Sequence, residues 1–397
     1  MSTRLFAVIN REALEYLKSP INHFGLTVLL ICINIYSALV STKPYPLSLY
    51  VLLFIFASLI ILILRLPRWV VYAVLLLAFA IQLFAFVHIM ANGTHDKLSN
   101  RDTAVEVTAQ YLLHGKNAWN ADVGTEISTG PTSILLAIPF VKVFGTINWL
   151  SFGFWLSFFF ILLYCDIRYR NNTWPVMVMI FVMGLFGFDH TLFWSLEELY
   201  YPIIYIALMY YLFVHKNLGG VGALWALSIL TRPCYAFLAI GFLLWYFFSA
   251  SFNKREFTRM GLGFVFTSLV MLLPFVIIGG SDMVIKNPWR LALKFSEAGW
   301  PDTNFIFHYL NQLGEQIGVK GLRWIKFSLS LLIMFLLSSR LRLMKIRHPF
   351  WHITAGAFVA HTLFWLPAHL PYDYILIFVL PAMLAISMTR SQDSVFQ

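Results

Sequence analysis

The chain is divided into separate apolar stretches at 22–40, 47–64, 69–91, 132–145 with 147–165, 174–188, 197–214, 219–231 with 234–250, 260–279, 323–339, 349–366 and 372–388. Most are about as long as a helix needs to cross a hydrocarbon core of about 30 Å. None has the period-2 alternation of lipid-facing strands, which excludes an outer-membrane barrel. The pattern predicts an all-α, polytopic transmembrane helical protein of about 11–13 helices, with interfacial helices in its outer loops. Only 12% of its 397 residues are charged, against roughly 25% in a soluble domain. Such a chain cannot cover itself with a polar surface. Cytosolic enzymes, secreted disulfide scaffolds and nucleic-acid binders are excluded together, and membrane lipids are the expected surroundings.

No low-complexity linker or internal repeat divides the sequence, so it reads as one integral domain over 1–397. Within it lie an N-terminal three-helix segment (1–91), a first long outer loop (92–131), central helices (132–279), a second long outer loop (280–322) and C-terminal helices (323–397). Arg4, Arg11 and Lys18 precede the first apolar run with no small-residue cleavage site after it, which reads as a retained first helix. Cys32, Cys165 and Cys234 all fall in or at the ends of apolar runs and read as small core residues.

The net charge of +10 matters less than where the basic residues fall. With a cytoplasmic N-terminus, the inner segments collect Arg65 and Arg68, Arg168 and Arg170, Lys254, Arg255 and Arg259, and Arg340, Arg342, Lys345 and Arg347. The inner side then holds 16 basic and 5 acidic residues and the outer side 12 and 13, which satisfies the positive-inside rule. That partition requires 132–165 to cross once net, so this region is expected to be broken or re-entrant.

The loop 92–131 contains a short helical pattern, with Ala104, Thr108 and Tyr111 on one stripe and Asp102 and Glu106 on another. Four residues apart, both carboxylates project from one face. An interfacial helix of this kind turns them toward a cavity or water. The same pattern suits a solvated loop helix with Asp102 near its N-terminus, where a carboxylate favours the helix dipole.

Further along the loop, Leu112 and Leu113 with Gly115, then Trp119, then Gly130-Pro131, with Pro139 before Phe144-Gly145, follow Asp102 in order. In this respect the chain resembles the GT-C superfamily of membrane glycosyltransferases, in particular its mannosyltransferase-like branch. The segment SILTRPCYAFLAIGF at 228–242 is similar to that superfamily's break between two central helices. Two further helices precede the loop here, which in the superfamily usually follows the first.

The resemblance implies transfer of a sugar from a polyprenyl-phosphate donor to a lipid or glycan acceptor on the outer face. One-step inverting transfer needs a carboxylate to take the acceptor's proton and cations to receive the lipid phosphate. Asp102 is the expected base, with Glu106 next. Arg232, beside the proline that ends its helix, is the expected phosphate clamp, with Arg101, Lys97 and Lys116 on the same side. An arginine snorkelling to the interface reads equally from those residues alone. Asp189, His190, Glu197 and Glu198 form a second acidic outer loop that would orient sugar or acceptor, or simply cap the next helix. Lys286, Arg290 and Lys294 make a basic stripe in the second loop, and His361 reads as a satisfied structural histidine. No spacing resembles a closed metal cage and no cofactor is expected; Glu197 and Glu198 are the pair that can touch a divalent ion. The location implied is a bacterial inner membrane with the site facing the periplasm. A surface-polysaccharide polymerase or ligase, and a lipid-linked-glycan transporter or flippase, are the competing readings. The balanced outer charge weighs against the first and the lack of paired half-repeats against the second.

Overall fold

The computed structural model describes residues 100–122, 129–168, 201–232, 235–248, 253–285, 305–318 and 321–343, with scattered helical residues between 72 and 90 and between 350 and 364. Among the described residues the regular structure is entirely helical. The expected spans at 22–40, 47–64, 174–188 and 372–388 lie outside them.

Local sequence sets the helix limits. Helix α1 (Asn100–Leu113) stops at Gly115, whose φ of 68° is open to glycine at little cost. A 3-10 turn follows at Ala118–Asn120, begun by the Asn117 side chain accepting from the Trp119 amide at 3.0 Å. Helix α2 (Pro131–Phe144) starts with proline in the first turn, where no N–H is missed. It ends at Gly145, in the left-handed region with φ 72°, whose N–H reaches the Val141 carbonyl at 3.0 Å. Helix α3 (Asn148–Arg168) then leaves at 119° to α2, so the region expected to be broken is broken.

Helices α4 (Tyr201–Val214), α5 (Leu218–Thr231), α6 (Ala236–Phe248), α7 (Lys254–Ile285), α8 (Phe305–Ile317) and α9 (Gly321–Leu343) complete the described set. Lys254–Gly280 of α7 and Gly321–Leu341 of α9 are long and apolar enough to cross a membrane, and the bent α2–α3 pair makes a third if it counts as one span. One side of α7 presents Leu262, Phe266, Leu269, Leu273 and Ile277 exposed, as a lipid-facing surface does.

Side-chain contacts give the packing directions. Tyr205 of α4 meets Thr231 at the end of α5 at 3.2 Å, and Phe154 of α3 packs edge-on against Tyr201 at the start of α4. Phe237 at the start of α6 packs on Phe327 at the start of α9, and farther along Ser338 donates to the Gly241 carbonyl, so α6 and α9 run parallel. Ser330 donates to Ala360 at 2.8 Å and Phe327 packs on Phe364, so the 350–364 residues run antiparallel to α9. One end of the bundle thus gathers Phe154, Tyr201, Thr231, Phe237 and Phe327; Lys216, Lys254, Arg259 and Arg340 lie toward the other.

Helix α2 lies across the first of these ends. Its cap, Gly130, abuts the Leu230 and Thr231 carbonyls of α5, and its C-terminus leads into the start of α3. Helix α1 packs antiparallel along it, burying Val105, Ala109 and Leu112 in the same cluster as Ile134, Ala137 and Val141.

Helices α5 and α7 approach through glycines. A Cβ at Gly222 would collide with the Met260 carbonyl, and one at Gly263 with the Gly219 carbonyl. Small residues at such a crossing let two backbones meet. Gly222→Leu is therefore expected to destabilise the protein by at least about 1–3 kcal/mol. Gly261→Ala, one position nearer the open face of α7 with nothing within 4 Å, should leave stability unchanged or raise it by up to about 1 kcal/mol. Thermal unfolding of the two variants in one detergent checks the contrast, and equal melting points would refute the close crossing.

Candidate active site

Asp102 lies in the first turn of α1, 2% exposed, and accepts from the Ser151 hydroxyl of α3 at 3.4 Å. One turn along, a Glu106 carboxylate oxygen accepts from the Ile147 amide and the Thr146 hydroxyl, both at 2.9 Å. The four-residue spacing does place both acids on one side of α1. That side turns toward the junction of α2 and α3, with Asp102 buried and Glu106 half-buried. The reason is electrostatic: the start of a helix carries unpaired N–H groups and a positive partial charge, and a carboxylate satisfies both.

The other stripe is also largely buried. Thr108 is buried with its hydroxyl bonded back to the Ala104 and Val105 carbonyls, at 2.7 and 2.9 Å, while Tyr111 is half-buried. Lys116 is exposed, its ammonium 5.8 Å from the centre of the Tyr111 ring. Arg101 lies in the first turn of α1.

Arg232 ends α5. Its backbone is extended, φ −148° and ψ 130°, and its amide closes the helix on the Ser228 carbonyl at 2.9 Å. Pro233 follows in the sequence, and a residue before proline is pushed out of the helical region. The side chain is half-buried. Because Gly130 abuts Leu230 and Thr231, the start of α2 stands beside this break. The indole N–H of Trp119 holds the segment before α2 by donating to the Thr129 carbonyl at 3.0 Å, and its ring packs on Phe275 of α7.

Asp102 and Glu106 thus meet the start of α3, beyond the C-terminus of α2, while Arg232 stands beside the start of α2. Lys97, Asp189, His190, Glu197 and Glu198 lie outside the described residues, as do Lys286, Arg290, Lys294 and His361. Among the described residues no group of three His, Cys, Asp or Glu side chains could hold a metal ion.

Four further residues belong to this end of the bundle. Asp122 is exposed, three residues beyond the Trp119 anchor. Thr132 and Ser133, in the first turn of α2, are fully buried. Lys326 of α9 is also fully buried, next to Phe327. A lysine inside the apolar run 323–339 is a signal the sequence does contain, since ionisable residues in such runs are rare. The threonine and serine carry none, because hydroxyls at a helix start are ordinary.

No family model matches this chain, and neither does any curated protein or solved structure.

If Glu106 caps α3, Glu106→Ala should cost about 1–3 kcal/mol by leaving the Ile147 amide and Thr146 hydroxyl without their acceptor. Glu106→Gln, which keeps a carbonyl oxygen, should cost less. Chemical denaturation of both variants provides the check; Ala as stable as wild type would remove the cap.

Proposed function

We propose that the protein is a GT-C-like membrane glycosyltransferase. It moves a sugar from a polyprenyl-phosphate donor to a lipid or glycan acceptor at the end of the bundle that holds Arg232. The observation that carries this reading is the contact of Gly130 with Leu230 and Thr231. The two sequence segments that bear the resemblance, in the first long loop and at 228–242, are about a hundred residues apart in the chain and meet there. Their meeting supports reading the two motifs as one site.

Polytopic placement belongs to the same proposal. Lys216, Lys254, Arg255, Arg259 and Arg340 lie toward the end opposite Arg232, so the positive-inside rule turns the Arg232 end outward, toward the periplasm in a bacterial inner membrane. The α1–α2 pair then lies at the outer interface and α3, with 21 residues, crosses toward Arg168.

In the transfer, the acceptor oxygen attacks the anomeric carbon, its proton goes to a carboxylate, and the lipid phosphate leaves with the bonding pair. Arg232 receives the charge on that phosphate, since a guanidinium binds two phosphate oxygens at once. The loop offers two carboxylates for the proton: Asp102, named by the resemblance and sheltered against Ser151, and Asp122, on Arg232's side of α2. With the phosphate at Arg232, the position favours Asp122.

Turnover of a polyprenyl-phosphate sugar by the purified protein in lipid nanodiscs tests the reading. Arg232→Gln and Asp122→Asn should each lower it about 10²–10⁴-fold while Asp102→Asn retains most of it. Loss in Asp102→Asn alone would keep the transferase and move the donor to the start of α3. No release of polyprenyl phosphate from any such donor would overturn the function.

A further inference from the structure

The geometry points to a phosphate cradle built from the first turn of α2, Thr132 and Ser133, together with Arg232 at the end of α5, and to a phosphate monoester as its ligand. This rests on the transferase reading for the identity of the lipid tail; the anion chemistry stands on observations of its own.

The first is a long helix whose start is not closed by its own chain. Pro131 brings no N–H, and Ile134 makes the first bond of the helix, to the Gly130 carbonyl at 3.3 Å. The amides of Thr132 and Ser133 precede it, so they are among the donors a helix leaves unpaired at its positive end. Gly130, in the cap position, contributes no side-chain acceptor to them.

The second observation is independent of the helix. The side chains of Thr132 and Ser133 are wholly buried, yet among the described residues neither hydroxyl has a hydrogen-bond partner. Buried hydroxyls are nearly always bonded, and one left unmade is a cost the fold must carry. In a helix the Cα–Cβ bond tilts toward the N-terminus, so both hydroxyls lean toward the start of α2, where the amides also point. Two hydroxyl donors and two amide donors are what a phosphate oxygen cluster takes up.

The third is the neighbouring cation. The Leu230 and Thr231 carbonyls that abut Gly130 bring negative partial charge to the same place, so donors alone would make a poor anion site. Arg232 is the next residue in the chain and supplies the missing positive charge, bidentate toward phosphate. Gly130 is what permits the approach, because a Cβ there would collide with both carbonyls.

The test measures binding of a short-chain polyprenyl phosphate to the full-length protein in uncharged phosphatidylcholine nanodiscs. Polyprenol serves as the tail alone and inorganic phosphate as the head alone. Wild type should bind the polyprenyl phosphate at least ten-fold more tightly than polyprenol. The double variant Thr132→Val with Ser133→Ala should weaken it by about 10- to 100-fold, the scale of hydrogen bonds to a charged group. Its melting temperature should match or exceed wild type, since only unpaired hydroxyls are lost. Ser133→Asp should abolish binding by like charge while suiting a helix start. Displacement by inorganic phosphate would support the cradle and mark the headgroup alone as sufficient; no displacement, with phosphate-dependent lipid binding, would support it with the tail required. Undiminished binding in the double variant, with loss in Arg232→Gln, would overturn the cradle and leave the transferase standing. A lower melting temperature with unchanged binding would also overturn it, by making the hydroxyls structural. Absence of phosphate-dependent binding in wild type would remove cradle and transferase together.

Discussion

Where Gly130 meets the Leu230 and Thr231 carbonyls, a helix start and a helix end are brought together with no side chain between them. Opposite partial charges attract at such a junction, and only glycine lets the backbones come close enough for that attraction to act at short range. The placement of α2 follows from it. Held at Gly130 and turned back at Gly145, α2 has no course open to it except across the end of the bundle, and α1 follows because Val105, Ala109 and Leu112 need a surface to cover them. Trp119 and Phe275 tie the same loop to α7.

This junction also decides what can meet what. It carries the first long loop to Arg232, while Asp102 and Glu106 meet the start of α3. A carboxylate that looks free on a helical wheel instead accepts from Ser151, and its neighbour one turn on accepts from the Ile147 amide just before α3. Both interactions use donors that belong to another element 40 or so residues later in the chain.

Among the described residues, helices are legible in the apolar runs of the sequence. The apolar runs at 219–231 and 323–339 correspond to Leu218–Thr231 and Gly321–Leu343, and the break at Arg232 before Pro233 follows from elementary backbone sterics. The apolar run at 260–279 is shorter than α7, which begins at Lys254, where basic residues hide a helix start from any hydropathy window. The site was legible only in its residue types. Asp102 and Glu106 share one face, as their spacing requires, but which way that face turns is set by Thr146, Ile147 and Ser151, and no periodicity within α1 carries that information. Thr132 and Ser133 give no signal in the sequence, because a buried hydroxyl without a partner is a property of packing. Arg232 and the basic cluster around Lys254, by contrast, are separated in the sequence by the apolar run 234–250, and a helix of that length sets them at opposite ends.

Lys326 bears on how the protein is made. It is fully buried three residues beyond half-buried Arg323, and under the proposed placement both enter the bilayer with the first turns of α9. A charged residue of this kind adds up to about 2.5–3.5 kcal/mol to the insertion of a lone helix, less near its ends. Helix α9 is therefore a poor candidate to enter the membrane by itself. Its main packing surface, α6, is synthesised some seventy residues earlier and offers Phe237 and the Gly241 carbonyl as ready contacts. The order of the chain during synthesis thus supplies the partner before the charge arrives, and a rearranged chain that delivered α9 first would have to insert Lys326 with nothing beside it.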